Sequence, residues 1–344
     1  MNQNNFFKKH FKISKRFIGD SEPVFIVAEA GVSHFGKIEK CFKLVDLAVS
    51  AKADAVKFQI FDTNSLIAKK KSKWFNRMKS RTLSIDDYIK VDQYCKKKGI
   101  IFFLTAHDES SFDKLKLIDP PVYKIGSGEI KNLSFIKKIL CNKKPVFIST
   151  GMHTFNDVKS IIELCKINSC KKIVFMQCTS SYPTKIEDLN LNVIDTYKSK
   201  IKSIVGYSDH TDGIEASLLA VAKGAKVIEK HISLDFNVKN AQDWKVSCGP
   251  NDFSLFVKKI RKVEKMLGSS NKQVTEDEKK TLLWARKSIV ASKNLIKGHK
   301  LTKNDINFKR PGSGISPAEL ETVIGKKIIK DIGENTLISR EDLK

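Results

Sequence analysis

The segment VIEKHISLD, residues 227–235, begins as an apolar run and then delivers Glu229, Lys230 and His231 in succession. Ionisable groups at the end of a buried strand are costly unless a metal, a proton or a substrate uses them. Seven other apolar runs show the same bias. The first ends at Glu29, with His34 in the loop that follows; the second carries Lys57 and Gln59; the third ends at Thr105. The fourth ends in Lys124, Ser127 and Glu129, the fifth in Ser149, the sixth in Ser180, Ser181 and Tyr182, and the seventh in Ser208, Asp209 and His210. Any one of these reads by itself as a capping serine or a satisfied core histidine. Eight run ends sharing one polarity read as a single site.

The residue types divide into two chemistries. Lys57, Lys124, Thr105, Ser127, Ser149 and Ser208 can wrap a phosphate, because ammonium groups neutralise it while hydroxyls and loop N–H groups meet its oxygens. Glu29, Glu129, Glu229, Asp243, His210 and His231 can hold a divalent metal. Two imidazoles with open water positions suit Mn²⁺, Fe²⁺ or Zn²⁺, and such a metal polarises a carbonyl as a Lewis acid. A phosphate site beside a carbonyl-activating metal points to carbon–carbon bond formation with a phosphorylated enol. Two rivals stay open on these residues. One is a class I aldolase with Lys124 or Lys57 as Schiff-base nucleophile. The other is a non-catalytic carbohydrate-binding protein, which would have no need of so many polar strand ends.

Those run ends need a scaffold that gathers them. The runs fall at 24–30, 53–59, 99–105, 121–127, 144–150, 172–178, 203–209 and 225–231, and segments between them, such as KIEKCFKLVDLAVSAKA, carry apolar residues at helical spacing. Eight successive βα units predict a closed parallel (β/α)8 barrel of the TIM type, whose reactive residues gather at the C-terminal strand ends. A doubly wound open sheet would be expected to show GxGxxG after its first strand, and GVSHFG does not match. FKISKRFIGDSEP reads as an N-terminal hairpin capping the barrel bottom, with Gly19-Asp20 as its turn. The predicted organisation is a barrel domain over 1–268, a linker over 269–282 and a small β-rich module over 283–344 that packs on the barrel or on a partner chain.

Composition narrows the class further. The 344 residues carry 63 Lys and Arg against 38 Asp and Glu, a formal charge of +25. The lysines are spread through the chain without a basic stripe interleaved with aromatics, so the charge reads as a general drift toward lysine and no nucleic-acid partner is expected; steering of an anionic substrate toward a cleft is the alternative reading. No run approaches a membrane span and no secretory h-region opens the chain, which predicts a cytoplasmic protein with no membrane partner. Seven cysteines without CxxC spacing read as reduced thiols, most of them ordinary core residues.

The ordered set FIVAEAG, KFQ, KIGSGE, STGM, CTSSYP, GYSDHT, EKH and KRPGSGIS resembles the sialic acid synthases, the phosphoenolpyruvate-dependent synthases of nine-carbon α-keto acid sugars. The resemblance covers roughly residues 13–343 and implies a TIM barrel followed by an antifreeze-like (SAF) domain, working as a domain-swapped homodimer. It implies that Lys57, Thr105, Lys124, Ser127, Ser149, Ser180 and Ser208 hold phosphoenolpyruvate. His210 and His231 would bind the metal, expected to be Mn²⁺, with Mg²⁺ or Co²⁺ as alternatives. Glu29, Gln59, Glu129, Tyr182, Glu229 and Asp243 would surround the sugar, the metal-bound water and the proton transfers. Arg310 would reach the acylamino group of the sugar from the partner's C-terminal module. The chain departs from the family's usual Asn-His-Asn-Gly with Ser33-His34-Phe35-Gly36, and Trp244 follows Asp243. More apolar surface at these places favours a legionaminic- or pseudaminic-type precursor over N-acetylmannosamine.

Overall fold

The computed structural model describes residues 5–68, 72–239, 241 and 243–344. The chain divides into two compact units, one running to Gly268 and the other starting at Ser269. In the first unit eight parallel strands close into a barrel: β1 Phe25–Gly31, β2 Ala55–Ile60, β3 Ile101–Ala106, β4 Tyr123–Ile125, β5 Val146–Ser149, β6 Ile173–Cys178, β7 Ile204–Asp209 and β8 Val227–His231, with β8 pairing back onto β1. Among the described residues no helix is long and apolar enough to cross a membrane.

Strand alternation fills the barrel in layers. Phe25, Val27, Ala55, Phe103, Phe147, Val174, Met176, Ile204 and Val227 form an interior apolar cluster, while residues between them, such as Ile26, Val56, Phe102 and Ile228, join the larger core beneath the helices. Gly206 on β7 is needed for this packing. A Cβ there would stand 2.8 Å from the Val227 carbonyl oxygen and 2.9 Å from Met176.

The outer helices follow their sequence signals. The helix Ile85–Lys98 starts with a capping box in which Ser84 and Asp87 exchange hydrogen bonds, carries Lys96, Lys97 and Lys98 in its last turn, and stops at Gly99 in the left-handed region, φ 77°. It buries Tyr88, Val91 and Cys95 at three- and four-residue spacing.

The N-terminal hairpin does plug the barrel interior, since Phe11, Ile13 and Ile18 belong to the interior cluster. Its turn differs from expectation. Ile13 pairs with Arg16, so the two-residue turn is Ser14-Lys15, with Ser14 at φ 52°, and Gly19 ends the second strand. Burial decided the register: Phe11, Ile13 and Ile18 must all face the barrel, and a turn at Gly19-Asp20 would not pair them.

In the second unit the helix Glu276–Ala285 begins within the stretch expected to be a linker, because Thr275 and Glu278 form a capping box. Beyond it β9 Ser288–Ala291 pairs antiparallel with β10 Ile306–Lys309. A separate core of Ile289, Leu295, Leu301, Ile315, Val323, Ile328 and Ile338 holds the module together. Arg310 directly follows β10, and its guanidinium lies 5.3 Å from the centre of the Trp284 ring.

Candidate active site

The inward positions of the barrel turn from apolar to charged one layer above the core. On β8 the alternation that sends Val227 inward also sends Glu229 and His231 inward, and it sends Lys230 outward. Lys230 donates to the Thr211 carbonyl at 2.7 Å and lies 3.4 Å from Asp209, whose carboxylate also accepts from Ser217 at 2.6 Å and from the Thr211 N–H at 2.8 Å. The triplet Glu229-Lys230-His231 therefore serves two purposes. Lys230 and Asp209 brace β7 and β8 from behind, and the two residues flanking Lys230 face the cavity.

That cavity, of about 400 Å³, is lined by Glu29, Lys57, Gln59, Thr105, Lys124, Ser127, Ser149, Ser180, Tyr182, Ser208, His210, Glu229 and His231 among others. Lys57 Nζ donates to Thr105 Oγ1 at 2.9 Å and lies 2.8 Å from Glu29 Oε2. Lys124 Nζ donates to Ser149 Oγ at 2.7 Å. Each ammonium stands 3.6 Å from Glu229 Oε1, which also accepts from Ser208 Oγ at 3.1 Å. Gln59 Nε2 donates to Glu29 Oε1 at 2.8 Å. Four charged groups thus share one buried cluster. Burial alone would raise Glu229, but Lys124 and Lys57 outweigh it and hold its carboxyl below the usual range. Burial pushes Glu29 up, opposed by Lys57 and reinforced by Glu229. Burial lowers Lys124, with partial compensation from Glu229.

The histidine pair stands on the neighbouring wall. The His210 and His231 ring centres are 5.3 Å apart, and Tyr182 packs 4.2 Å from His210. His210 Nδ1 lies 2.9 Å from the Thr179 carbonyl oxygen, which fixes the N–H there and leaves Nε2 to accept from the Tyr182 hydroxyl at 3.0 Å. His231 Nδ1 is buried with no hydrogen-bond partner among the described residues. Burial, with the charges of His210, Lys57, Lys230 and Lys124, drives His231 well below the ordinary imidazole range and keeps it neutral. An oriented imidazole beside a neutral one with an orphaned nitrogen fits a divalent cation held through two nitrogens, its other positions left to water or substrate. Among the described residues no three His, Cys, Asp or Glu side chains converge as a ligand set. The carboxylates grouped with the histidines on residue type are instead engaged elsewhere, Glu29 and Glu229 with the lysines.

Several expected residues sit outside this cavity's lining. Glu129, in the turn Ser127–Glu129, accepts from Asn132 at 3.1 Å. Asp243 opens the turn Asp243–Val246; burial raises its pKa while Arg81 and His210 oppose the shift. Ser181 is exposed and donates to the Pro183 carbonyl. Arg310 belongs to the second unit. His34 is structural: it is fully buried, its Nδ1 accepts from the Gly36 N–H at 3.1 Å and its Nε2 meets the Tyr88 hydroxyl at 3.2 Å. Phe35, at φ 50°, is half-buried between Lys40 and Arg81, each just over 5 Å from its ring centre. Trp244 is tied into its own loop by an N–H donated to the Val238 carbonyl at 3.1 Å.

Residue-type reasoning missed three side chains that line the cavity, His107, Met152 and Cys178. Cys178 is the last residue of β6 and points inward with Val174 and Met176; period-two counting finds it. His107 lies one residue past β3, in register with Thr105.

Residues 44–272 match the NeuB family and residues 286–344 the SAF domain. An N,N'-diacetyllegionaminic acid synthase of Campylobacter jejuni is 36% identical over 91% of this chain and 98% of its own length. An N-acetylneuraminate-9-phosphate synthase of Homo sapiens is 32% identical, covering 95% of this chain and 94% of its own. The solved structure of a sialic acid synthetase from Leptospira borgpetersenii superposes with a TM-score of 0.75 at 31% identity over 79% of this chain and 95% of that one. On motifs, barrel and sequence alike, this chain belongs to the NeuB family, that of the sialic acid synthases.

Proposed function

We propose that this protein condenses phosphoenolpyruvate with an N-acylated hexosamine and water, giving a nine-carbon sialic acid-type α-keto acid sugar and phosphate. The observation that carries the reading is the cavity wall itself, with two ammoniums and five serine and threonine hydroxyls opposite the imidazole pair. Lys57, Lys124, Thr105, Ser127, Ser149, Ser180 and Ser208 bind the phosphate and carboxylate of the enol substrate. His210 and His231 would hold a divalent metal, Mn²⁺ first among the candidates, which supplies Lewis-acid polarisation of the sugar's aldehyde. C3 of phosphoenolpyruvate bonds to the aldehyde carbon, whose oxygen takes up a proton; water adds at C2 and loses a proton; the C2–O bond to phosphate then breaks as the remaining C2 hydroxyl proton passes to the departing phosphate, which leaves the ketone. Glu229, with one oxygen buried and without a hydrogen-bond partner among the described residues, accepts a proton, and Glu29, Gln59 and Tyr182 orient water and the new hydroxyl. Glu129 and Asp243 contact the sugar beyond the cavity floor.

Phe35 in place of the usual amide favours a sugar with a deoxy position and a second acylamino group, in keeping with two relatives from Campylobacter jejuni, a diacetyllegionaminic acid synthase and a pseudaminic acid synthase. The test is a panel of such sugars and N-acetylmannosamine, each with phosphoenolpyruvate and Mn²⁺, followed by phosphate release. Release with none of them would overturn the reading.

The assembly we propose is a domain-swapped homodimer in which Arg310 of one copy offers its planar donors to the acyl carbonyl bound in the other. Arg310→Ala chains mixed with His231→Ala chains would then recover activity, about half the wild-type value per mixed dimer, because one of two sites carries neither lesion. No recovery would place Arg310 in its own chain's site.

A further inference from the structure

His107 is the only imidazole on the lysine side of the cavity among the described residues. Its position follows from strand period. Thr105 points inward at the end of β3, and two residues on His107 points the same way, one layer higher. On the adjoining strand Lys124 points inward and Gly126 stands two residues on. The same layer therefore contains His107 and Gly126, and a Cβ at Gly126 would lie 3.5 Å from His107 Cε1. The glycine leaves space beside the imidazole and Thr105, in the cavity that both lysines also line.

The ring is held in place but not hydrogen-bonded. Its backbone N–H donates to the Ile60 carbonyl at 3.1 Å and Phe61 packs at 6.4 Å between ring centres. Among the described residues neither ring nitrogen has a hydrogen-bond partner. The neighbouring Asp108 does not supply one, because its carboxylate accepts from Asp62 N, Ser110, Ser111 N and Ser111 Oγ. Burial and the charges of Lys57 and Lys124 hold the imidazole down to about 4, so it is neutral at ordinary pH and keeps one N–H to donate. Most half-buried histidines satisfy a nitrogen locally; this one faces a cationic wall with both nitrogens open.

We propose that His107 binds the phosphate of the enol substrate, donating a hydrogen bond to an oxygen that Lys57 and Lys124 also neutralise. This rests on the phosphoenolpyruvate reading. The carboxylate of the same substrate is the other anion that would suit this wall, and the two are separable by probe.

Calorimetric titration of the full-length protein with phosphoenolpyruvate, inorganic phosphate and pyruvate tests it on wild type, His107→Ala and His107→Asn. His107→Ala should weaken phosphoenolpyruvate and inorganic phosphate about 10-fold or more, the scale of one hydrogen bond to a charged group, and pyruvate less than about 2-fold. His107→Asn, which keeps an N–H donor, should recover part of the loss. Equal phosphoenolpyruvate affinity in wild type and in a folded His107→Ala protein would overturn the assignment, as would a loss confined to pyruvate. If His107→Ala does not fold, His107→Leu, which fills the space without a donor, carries the comparison. A wild type that binds phosphate through His107 but turns over no phosphoenolpyruvate with any sugar would sink the condensation and leave the phosphate site standing; one that binds neither anion would sink both.

Discussion

The two ends of the barrel handle charge in opposite ways. At the bottom, Asp54 accepts from Arg16 at 2.7 Å, from the Ile26 N–H at 2.8 Å and from Arg261 at 3.1 Å, and Arg261 also donates to the Val24 carbonyl and to Glu264. Each carboxylate oxygen of Asp54 has a donor. The hollow beside it, about 780 Å³ and larger than the upper cavity, is lined among others by Arg16, Glu22, Arg261 and Glu264, and these four are paired, Arg16 and Arg261 with Asp54, Arg261 with Glu264 and Glu22 with His10. At the top, Lys57, Lys124, Glu29 and Glu229 are more deeply buried, yet among the described residues Glu229 Oε2 and His231 Nδ1 have no hydrogen-bond partner. A satisfied network contributes stability; an unsatisfied one costs stability and is kept where a ligand completes it. Cavity size alone would have picked the wrong end.

Substitutions should separate the two ends. His231→Ala or His210→Ala should lower kcat by about 10²–10³-fold, the scale for losing a preorganised electrophilic group, with no loss of stability, and chelation followed by Mn²⁺ should abolish and restore turnover. Full activity in exhaustively demetallated enzyme would remove the metal from the reaction.

Lys57→Ala and Lys124→Ala should raise KM for phosphoenolpyruvate by about 10–100-fold, and KM for the sugar far less. The reverse pattern would assign the lysine to the sugar, and a borohydride-trapped adduct on Lys124 would favour the aldolase.

At the bottom the readouts exchange. Asp54→Ala should cost about 2 kcal/mol in urea unfolding, discounted for the part-exposed arginines, while kcat stays within about 2-fold of wild type. A large loss of kcat with unchanged stability would break the contrast.

The smallest effect concerns His34. Burial, aided by Arg81, holds its folded pKa at about 4, below the ordinary value, so the unfolded chain binds the extra proton first and stability falls as pH drops from about 6.5 toward 4. His34→Gln should make that fall shallower by about one proton and leave the phosphate-release profile unchanged; an altered profile would return His34 to the site.

The fold and most of the site's side chains were readable because period-two alternation is a local property. Once the eight apolar runs are identified, Lys57, Thr105, Lys124, Ser208, Glu229 and His231 follow as inward positions. His34 and Lys230 were not separable from them by type, since a buried histidine with two partners and a buried lysine with a carbonyl look in sequence like ligands. His107 was invisible for the opposite reason: it lies past the strand end, in a stretch without a motif.

What the sequence by itself determined is the barrel, the boundary near Gly268 and the polarity of the strand ends, because these depend on spacing along the chain. Tertiary structure decided the partners. It placed both lysines on Glu229, left His231 Nδ1 open, moved the hairpin turn to Ser14-Lys15 and turned Lys230 away from the cavity. Each outcome depends on which atoms meet across strands far apart in sequence, and burial makes every unmet hydrogen bond there costly enough to matter.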